Sequence, residues 1–293
     1  MTPDAIIENA KADPAQVVVR PLTVQGERGP LAARLYRAAR AGARRPGLIV
    51  YFHGGCFIGG NLDDADAFLR QLAACNPEQA ILSARYTLAT ERPFPAALED
   101  AYAVLQWADK NKIRLGWDGA RLMVAGIDAG ANLAAASARI CLDRRGPALA
   151  GQLLLMPMLD GALSTRSMRQ NALSGPLAGA AGLCAAGYRC YVPYPGERCH
   201  PYASPLHSSR LENLPPALIL TSKEDPLRDE GEQYGMNLIA RGVRTTVRRV
   251  PTADGGPWCF RQNSICASAV DAEIIAFIDS GTKAAITAHS LHG

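Results

Sequence analysis

A glycine-framed turn, Gly126-Ile127-Asp128-Ala129-Gly130, joins the aliphatic run RLMVAG to the strong helix former ANLAAASA. Glycines on both sides relieve crowding at a strained strand-to-helix turn, so the central side chain stands clear above the strand. Here that side chain is Asp128, a carboxylate able to act as nucleophile or base. Upstream, His53-Gly54-Gly55-Cys56-Phe57 follows the apolar run GLIVYF. Its glycines let backbone N–H groups come close to a substrate oxygen. Downstream, Asp225 opens the acidic segment Asp225-Pro226-Leu227-Arg228-Asp229-Glu230.

Those residues need a rigid frame, and the pattern around them supplies one. Short β-branched runs alternate with longer Ala/Leu-rich segments, the βαβ signature of a largely parallel sheet with helices on both faces. Strands are predicted over 16–24, 32–38, 47–52, 80–85, 121–126, 152–156, 217–221 and 243–250. Helices are predicted over 95–111, 132–142, 227–240 and 267–278. Residues 47–52 are apolar throughout, as a central strand buried on both faces requires. The segment 164–204 is rich in Gly, Pro, Ala and Cys and shows no strand, which suits a cover over a ligand site. The expectation is one α/β domain over 1–293, with 1–16 and about 164–204 forming a reduced cap.

The motifs occur in a familiar order. His53-Gly54-Gly55-Cys56-Phe57 resembles the HGGG-F oxyanion loop of hormone-sensitive-lipase-like esterases of the α/β-hydrolase fold. The stretch 86–100, YTLATERPFPAALED, is similar to a further motif of that family. The glycine-framed turn then resembles its nucleophile elbow, and 225–230 its D-P-L-R-D-E segment. The resemblance runs from about the twentieth residue to the C-terminal helix. It implies an α/β-hydrolase fold, an oxyanion hole built from Gly54, Gly55, Cys56 and Ala129 with His53 supporting the loop, and Asp225 as triad acid.

Two positions depart from the family. Asp128 stands where the resemblance expects the nucleophilic serine. The triad histidine belongs in a short loop about thirty residues after Asp225, and in 250–260 that place falls on Trp258, or on Gly255 in a shifted alignment. The remaining histidines, His53, His200, His207, His289 and His292, lie elsewhere. Removing a triad Ser or His from a serine protease costs on the order of 10⁶ in turnover. The sequence alone therefore leads to a homologue without ordinary carboxylesterase activity that binds a small molecule or a protein. Two alternatives stay open: non-esterase chemistry (elimination, cyclisation or isomerisation) with Asp128 as base or nucleophile, and weak residual ester hydrolysis.

Composition limits the partners. The 293 residues are 48% hydrophobic and 20% charged with a formal charge of +4, and no basic run is dense enough to follow a nucleic acid. No apolar stretch reaches membrane-helix length, and the opening residues lack a signal-peptide pattern, so the expectation is a cytoplasmic protein away from membranes. Eight cysteines show no paired C-x-x-C spacing. Cys184, Cys190 and Cys199, with His200, read as small apolar residues rather than a metal site, and no cofactor is expected. Two carboxylates with no obvious Lys or Arg beside them suit a cationic or apolar small-molecule ligand. The family carries a longer N-terminal stretch, so a second copy of the chain stays open as a way to complete the pocket.

Overall fold

The computed structural model describes residues 16–39, 46–174, 178–250 and 272–279. In chain order these form β1 (Val17–Gln25), β2 (Pro30–Ala38), β3 (Gly47–Phe52), α1 (Asp66–Cys75), β4 (Gln79–Ala84), α2 (Ala96–Lys110) and α3 (Lys112–Leu115). Then come β5 (Leu122–Ile127), α4 (Ala129–Asp143), β6 (Gly151–Leu155), α5 (Arg166–Ser174), α6 (Ala178–Tyr191), β7 (Ala217–Ser222), α7 (Arg228–Ala240) and β8 (Thr245–Val250). A last helix, α8, covers 272–279.

The strands form one eight-stranded sheet in the order β1-β2-β4-β3-β5-β6-β7-β8. β1 and β2 run antiparallel to their neighbours, and every pairing from β4 through β8 is parallel. This is the mostly parallel α/β architecture that the alternating pattern called for.

Side-chain alternation along the central strands divides the interior into two cores. Leu48, Val50 and Phe52 of β3 face one core with Leu122 and Val124 of β5, and that face is covered by α2, α4 and α7. Ile49 and Tyr51 face the other with Met123 and Ala125, and there α1 brings Phe68, Leu69 and Leu72 while α8 brings Ile274 and Ile278. A strand buried on both faces gains nothing from polar alternation, so β3, β4 and β7 read as continuous apolar or small-residue runs.

Two helices, α5 and α6, lie within the segment that showed no strand. α6 lays Tyr188 and Tyr191 on Phe57, with the Phe57 and Tyr191 rings stacked at 3.7 Å. α5 is tied to the start of α7: the Ser167 amide donates to Asp229 Oδ2 at 2.7 Å, and the Ser167 hydroxyl to the Pro226 carbonyl at 2.7 Å. α6 therefore rests on the loop after β3, and α5 on the segment that carries Asp225.

Candidate active site

β5 ends in the elbow, and the backbone there is as strained as the glycine frame implies. Asp128 has φ 55° and ψ −119°, outside the regions that side chains ordinarily favour. The flanking glycines are set by close approach: a Cβ on Gly126 would stand 2.3 Å from the Gly130 carbonyl carbon, and one on Gly130 only 2.0 Å from the Phe52 carbonyl oxygen. The Asp128 amide donates to the Leu155 carbonyl at 3.0 Å, which pins the turn to β6. Asn132, one turn into α4, donates to the Met158 and Ala203 carbonyls, each at 2.8 Å.

The loop after β3 meets this elbow. The Gly55 and Cys56 amides donate to Asp128 Oδ2 at 2.8 Å and 2.7 Å. The Ala129 amide also hydrogen-bonds the carboxylate. Three backbone donors thus converge on the carboxyl group, two of them on Oδ2, and the residues are the ones named from sequence: Gly55, Cys56 and Ala129 around Asp128. Gly54 supplies no such bond but lies against the carboxylate, where an added Cβ would be 3.3 Å from Asp128 Cβ. Asp128 is fully buried, and burial raises its pKa while the three amides pull it back down.

His53 works on the loop. Its Nδ1 lies 2.7 Å from the Gly54 carbonyl, which can only accept, so Nδ1 carries the proton. The ring stacks on Tyr86 with centroids 4.4 Å apart, and the Tyr86 hydroxyl donates to the His53 carbonyl at 3.0 Å. Burial lowers the imidazole pKa, which keeps the ring neutral. Tyr86 begins the stretch that resembles the family, and Asp100 ends it. The Asp100 carboxylate accepts from the Thr87 amide at 2.9 Å and from the Glu27 amide at 2.9 Å, tying that stretch to the turn between β1 and β2. Neither Tyr86 nor Asp100 was assigned a role from sequence, although both stood in a recognised motif.

Asp225 sits at the other end of the site, after β7. It is buried; its Oδ1 accepts from the Leu227 amide at 2.7 Å, and its Oδ2 has no hydrogen-bond partner among the described residues. Burial first, and the charge of Asp128 after it, push its carboxyl up to about 7. The negative charge of Asp128 thus disfavours ionisation of Asp225, while Arg228 pulls the other way. Trp258 and Gly255, the candidates for the histidine position, lie outside the described residues.

The cysteines regroup. Cys184 is buried with its Sγ 3.9 Å from Cys56 Sγ, whereas Cys190 and Cys199 are exposed. A thiol of the oxyanion loop, remote in sequence, is thus the neighbour of Cys184. Residues six apart on a helix point to different faces, so closeness along the chain misgrouped them.

Residues 49–256 match the family model described as alpha/beta hydrolase fold. The chain is 37% identical over 237 residues to esterase LipI of Mycobacterium tuberculosis, covering 79% of this chain and 72% of that one. It is 36% identical over 208 residues to carboxylesterase NlhH of the same species, covering 70% of this chain and 64% of that one, so it spans just under two thirds of this second relative. A hyperthermophilic esterase from the archaeon Pyrobaculum calidifontis superposes with a TM-score of 0.81 at 38% identity, over 90% of this chain and 85% of that one. Proteins this similar over most of the chain are named esterases, which points to ordinary ester hydrolysis. That corrects the expectation of a binding protein without carboxylesterase activity, and the alternatives of non-esterase chemistry and weak residual hydrolysis fall with it. The missing serine and histidine leave the backbone donors of the loop after β3 in place. By its matched sequence and its superposed fold, the chain belongs to the α/β-hydrolase fold family, among the hormone-sensitive-lipase-like esterases.

Proposed function

We propose that the chain hydrolyses carboxylic esters where the Gly55, Cys56 and Ala129 amides meet Asp128. The observation that carries this reading is the pair of loop amides at 2.8 Å and 2.7 Å from one anionic oxygen. Donors arranged around a negative oxygen suit the oxyanion of an ester's tetrahedral intermediate. The named activities of the relatives support the same reaction.

Asp128 then acts as general base. An ester carbonyl oxygen takes the place of Oδ2 on the loop amides, and the released carboxylate turns to a water beside the acyl carbon. As the water oxygen bonds to that carbon, its proton passes to Asp128 and the carbonyl oxygen becomes an oxyanion held by the amides. On collapse the carbon–oxygen bond to the alcohol breaks, and Asp128 returns the proton to the departing alkoxide. One ester and one water give one acid and one alcohol, with no acyl-enzyme and no imidazole. Burial helps, because a carboxylate with a raised pKa is a stronger base near neutral pH.

Two buried carboxylates disfavour an anionic substrate, so the ester is a small neutral or cationic one. We take 164–204 as the reduced cap, with α6 supporting the loop. A reducing, cytoplasmic setting is supported by the cysteines of the described residues, among which no disulfide occurs. Among those residues no helix is long and apolar enough to cross a membrane.

The test is turnover of p-nitrophenyl acetate and butyrate, followed by a single turnover in ¹⁸O-labelled water. Release of nitrophenol well above buffer, with label in the free acid and none in Asp128, is the expected result. A rate equal to buffer contradicts the function; label in the Asp128 carboxylate contradicts the general-base route.

A further inference from the structure

Cys56 Sγ, Cys184 Sγ and a carboxylate oxygen of Asp128 lie within 4.8 Å of one another in the buried interior. The two sulfurs are 3.9 Å apart, and Cys56 Sγ is 3.9 Å from Asp128 Oδ1. From these distances we infer that Cys56, Cys184 and Asp128 form a three-ligand site for a thiophilic divalent cation of the zinc class.

The spacing fits the ion. Zinc–sulfur bonds of about 2.3 Å at tetrahedral angles put two thiolates ~3.8 Å apart, and a carboxylate oxygen falls slightly nearer. The carboxylate is already oriented as a one-oxygen ligand: Oδ2 is held by the Gly55 and Cys56 amides, which leaves Oδ1 toward the thiols. Hydrogen bonds of this kind fix a ligating carboxylate before the ion arrives. Asp128 is a fully buried acid, and no Lys, Arg or His pairs with it among the described residues. Two sulfur ligands and one oxygen select against magnesium and calcium. The helix is close enough to serve, since a Cβ on Gly187 of α6 would be 2.1 Å from the Cys56 carbonyl oxygen. This departs from the sequence expectation of no metal, which grouped Cys184 with the wrong thiols.

Three protein ligands leave a fourth position for water or another small ligand. A further consequence rests on the ester-hydrolysis reading. With Oδ1 on the ion and Oδ2 on the loop amides, Asp128 cannot turn to the substrate, so the bound ion suppresses hydrolysis.

The test is an anaerobic cadmium titration of the reduced, chelator-treated protein, followed by thiolate-to-cadmium absorption in the ultraviolet. We expect a saturable signal at one ion per chain, lost in Cys56→Ser and in Cys184→Ser and retained in Cys190→Ser. Cys184→Ala repeats the test without placing a hydroxyl in the core, and circular dichroism confirms that each variant is folded. No saturable signal in the wild type, or a signal kept by folded Cys184→Ala, overturns the site. Recovery of Cys56 and Cys184 as a disulfide under reductant, with no cadmium uptake, also overturns it. Added zinc should lower p-nitrophenyl acetate turnover at least tenfold in the wild type and leave the rate of Cys184→Ala unmoved. If the metal-free protein shows no turnover, the ester reading has failed while the cadmium titration still decides the site.

Discussion

Asp128 and Asp225 are both buried carboxylates in one site, and they are held in opposite ways. Asp128 sits on a strained elbow with amides from Gly55, Cys56 and Ala129 around it. Asp225 follows β7 with one amide donor, from Leu227, and one oxygen unpartnered among the described residues. Burial pushes both upward, but only Asp128 has enough donors to offset much of that push. Desolvation is thus common to the two regions, and the supply of backbone N–H groups separates them. One carboxyl group is oriented by three donors that pull against the upward push, and the other is left to take a proton near neutrality.

The largest effect should come from breaking the elbow. In Gly130→Val the new Cβ falls 2.0 Å from the Phe52 carbonyl oxygen, where backbone cannot yield cheaply. We expect a loss of roughly 4 kcal/mol or more in urea unfolding, or no folded protein at all. A loss within about 1 kcal/mol would mean that the elbow is not what holds Asp128 to its donors.

Removing the other carboxylate comes next. The Asp225 carboxyl is raised to about 7, so between about pH 4 and 7 the folded state holds a proton that the unfolded state has released. Stability on its account is therefore present at low pH and is lost as pH rises through that window, at about 1.4 kcal/mol per unit. Asp225→Asn cannot ionise, and it should gain on the order of 4 kcal/mol over wild type at pH 8 and far less at pH 4. Thermal unfolding against pH reads this directly, and parallel curves for the two proteins would contradict it.

A sharper test couples the regions. In Asp128→Asn a charge that raises Asp225 is gone, so the inflection near pH 7, which reports the folded-state carboxyl, should move to lower pH. The shift should be smaller than the effect of Asp225→Asn, because burial is the first cause and remains. The smallest effect belongs to Tyr86→Phe, which strips a donor from the buried His53 carbonyl. It should cost about 1 kcal/mol in chemical unfolding.

Much of this frame was legible in the chain. The buried strands β3, β5, β6 and β7 announce themselves as apolar runs, and the elbow glycines announce a close approach before any coordinates. Helix α4 begins at Ala129 rather than at 132, since the elbow leads straight into its first turn. Helix α1 went unread because Asn61-Leu62-Asp63-Asp64 looks like loop, and tertiary burial of Phe68, Leu69 and Leu72 decides its state. Helix α6 was hidden by Gly and Ala, which carry little periodicity. At the site, Gly55, Cys56, Ala129, Asp128 and Asp225 could be named from motifs. Cys184 could not, because its partner lies far away along the chain and only the packing of α6 on the loop joins them. The functional expectation failed for a related reason: motif reading asks whether a serine and a histidine are present, whereas the geometry asks what the oxyanion donors can hold.

The central claim is that Asp128 is the base for ester hydrolysis at those donors. Its most direct test is the pH–rate profile of p-nitrophenyl acetate hydrolysis, in metal-free buffer, for the wild type beside Asp128→Ala. We expect a wild-type rate that rises with pH as the carboxylate loses its proton and then levels, and a fall of about 10²–10⁴-fold in Asp128→Ala at the plateau. Equal rates for the two proteins, or a wild-type rate no greater than buffer, would contradict the account.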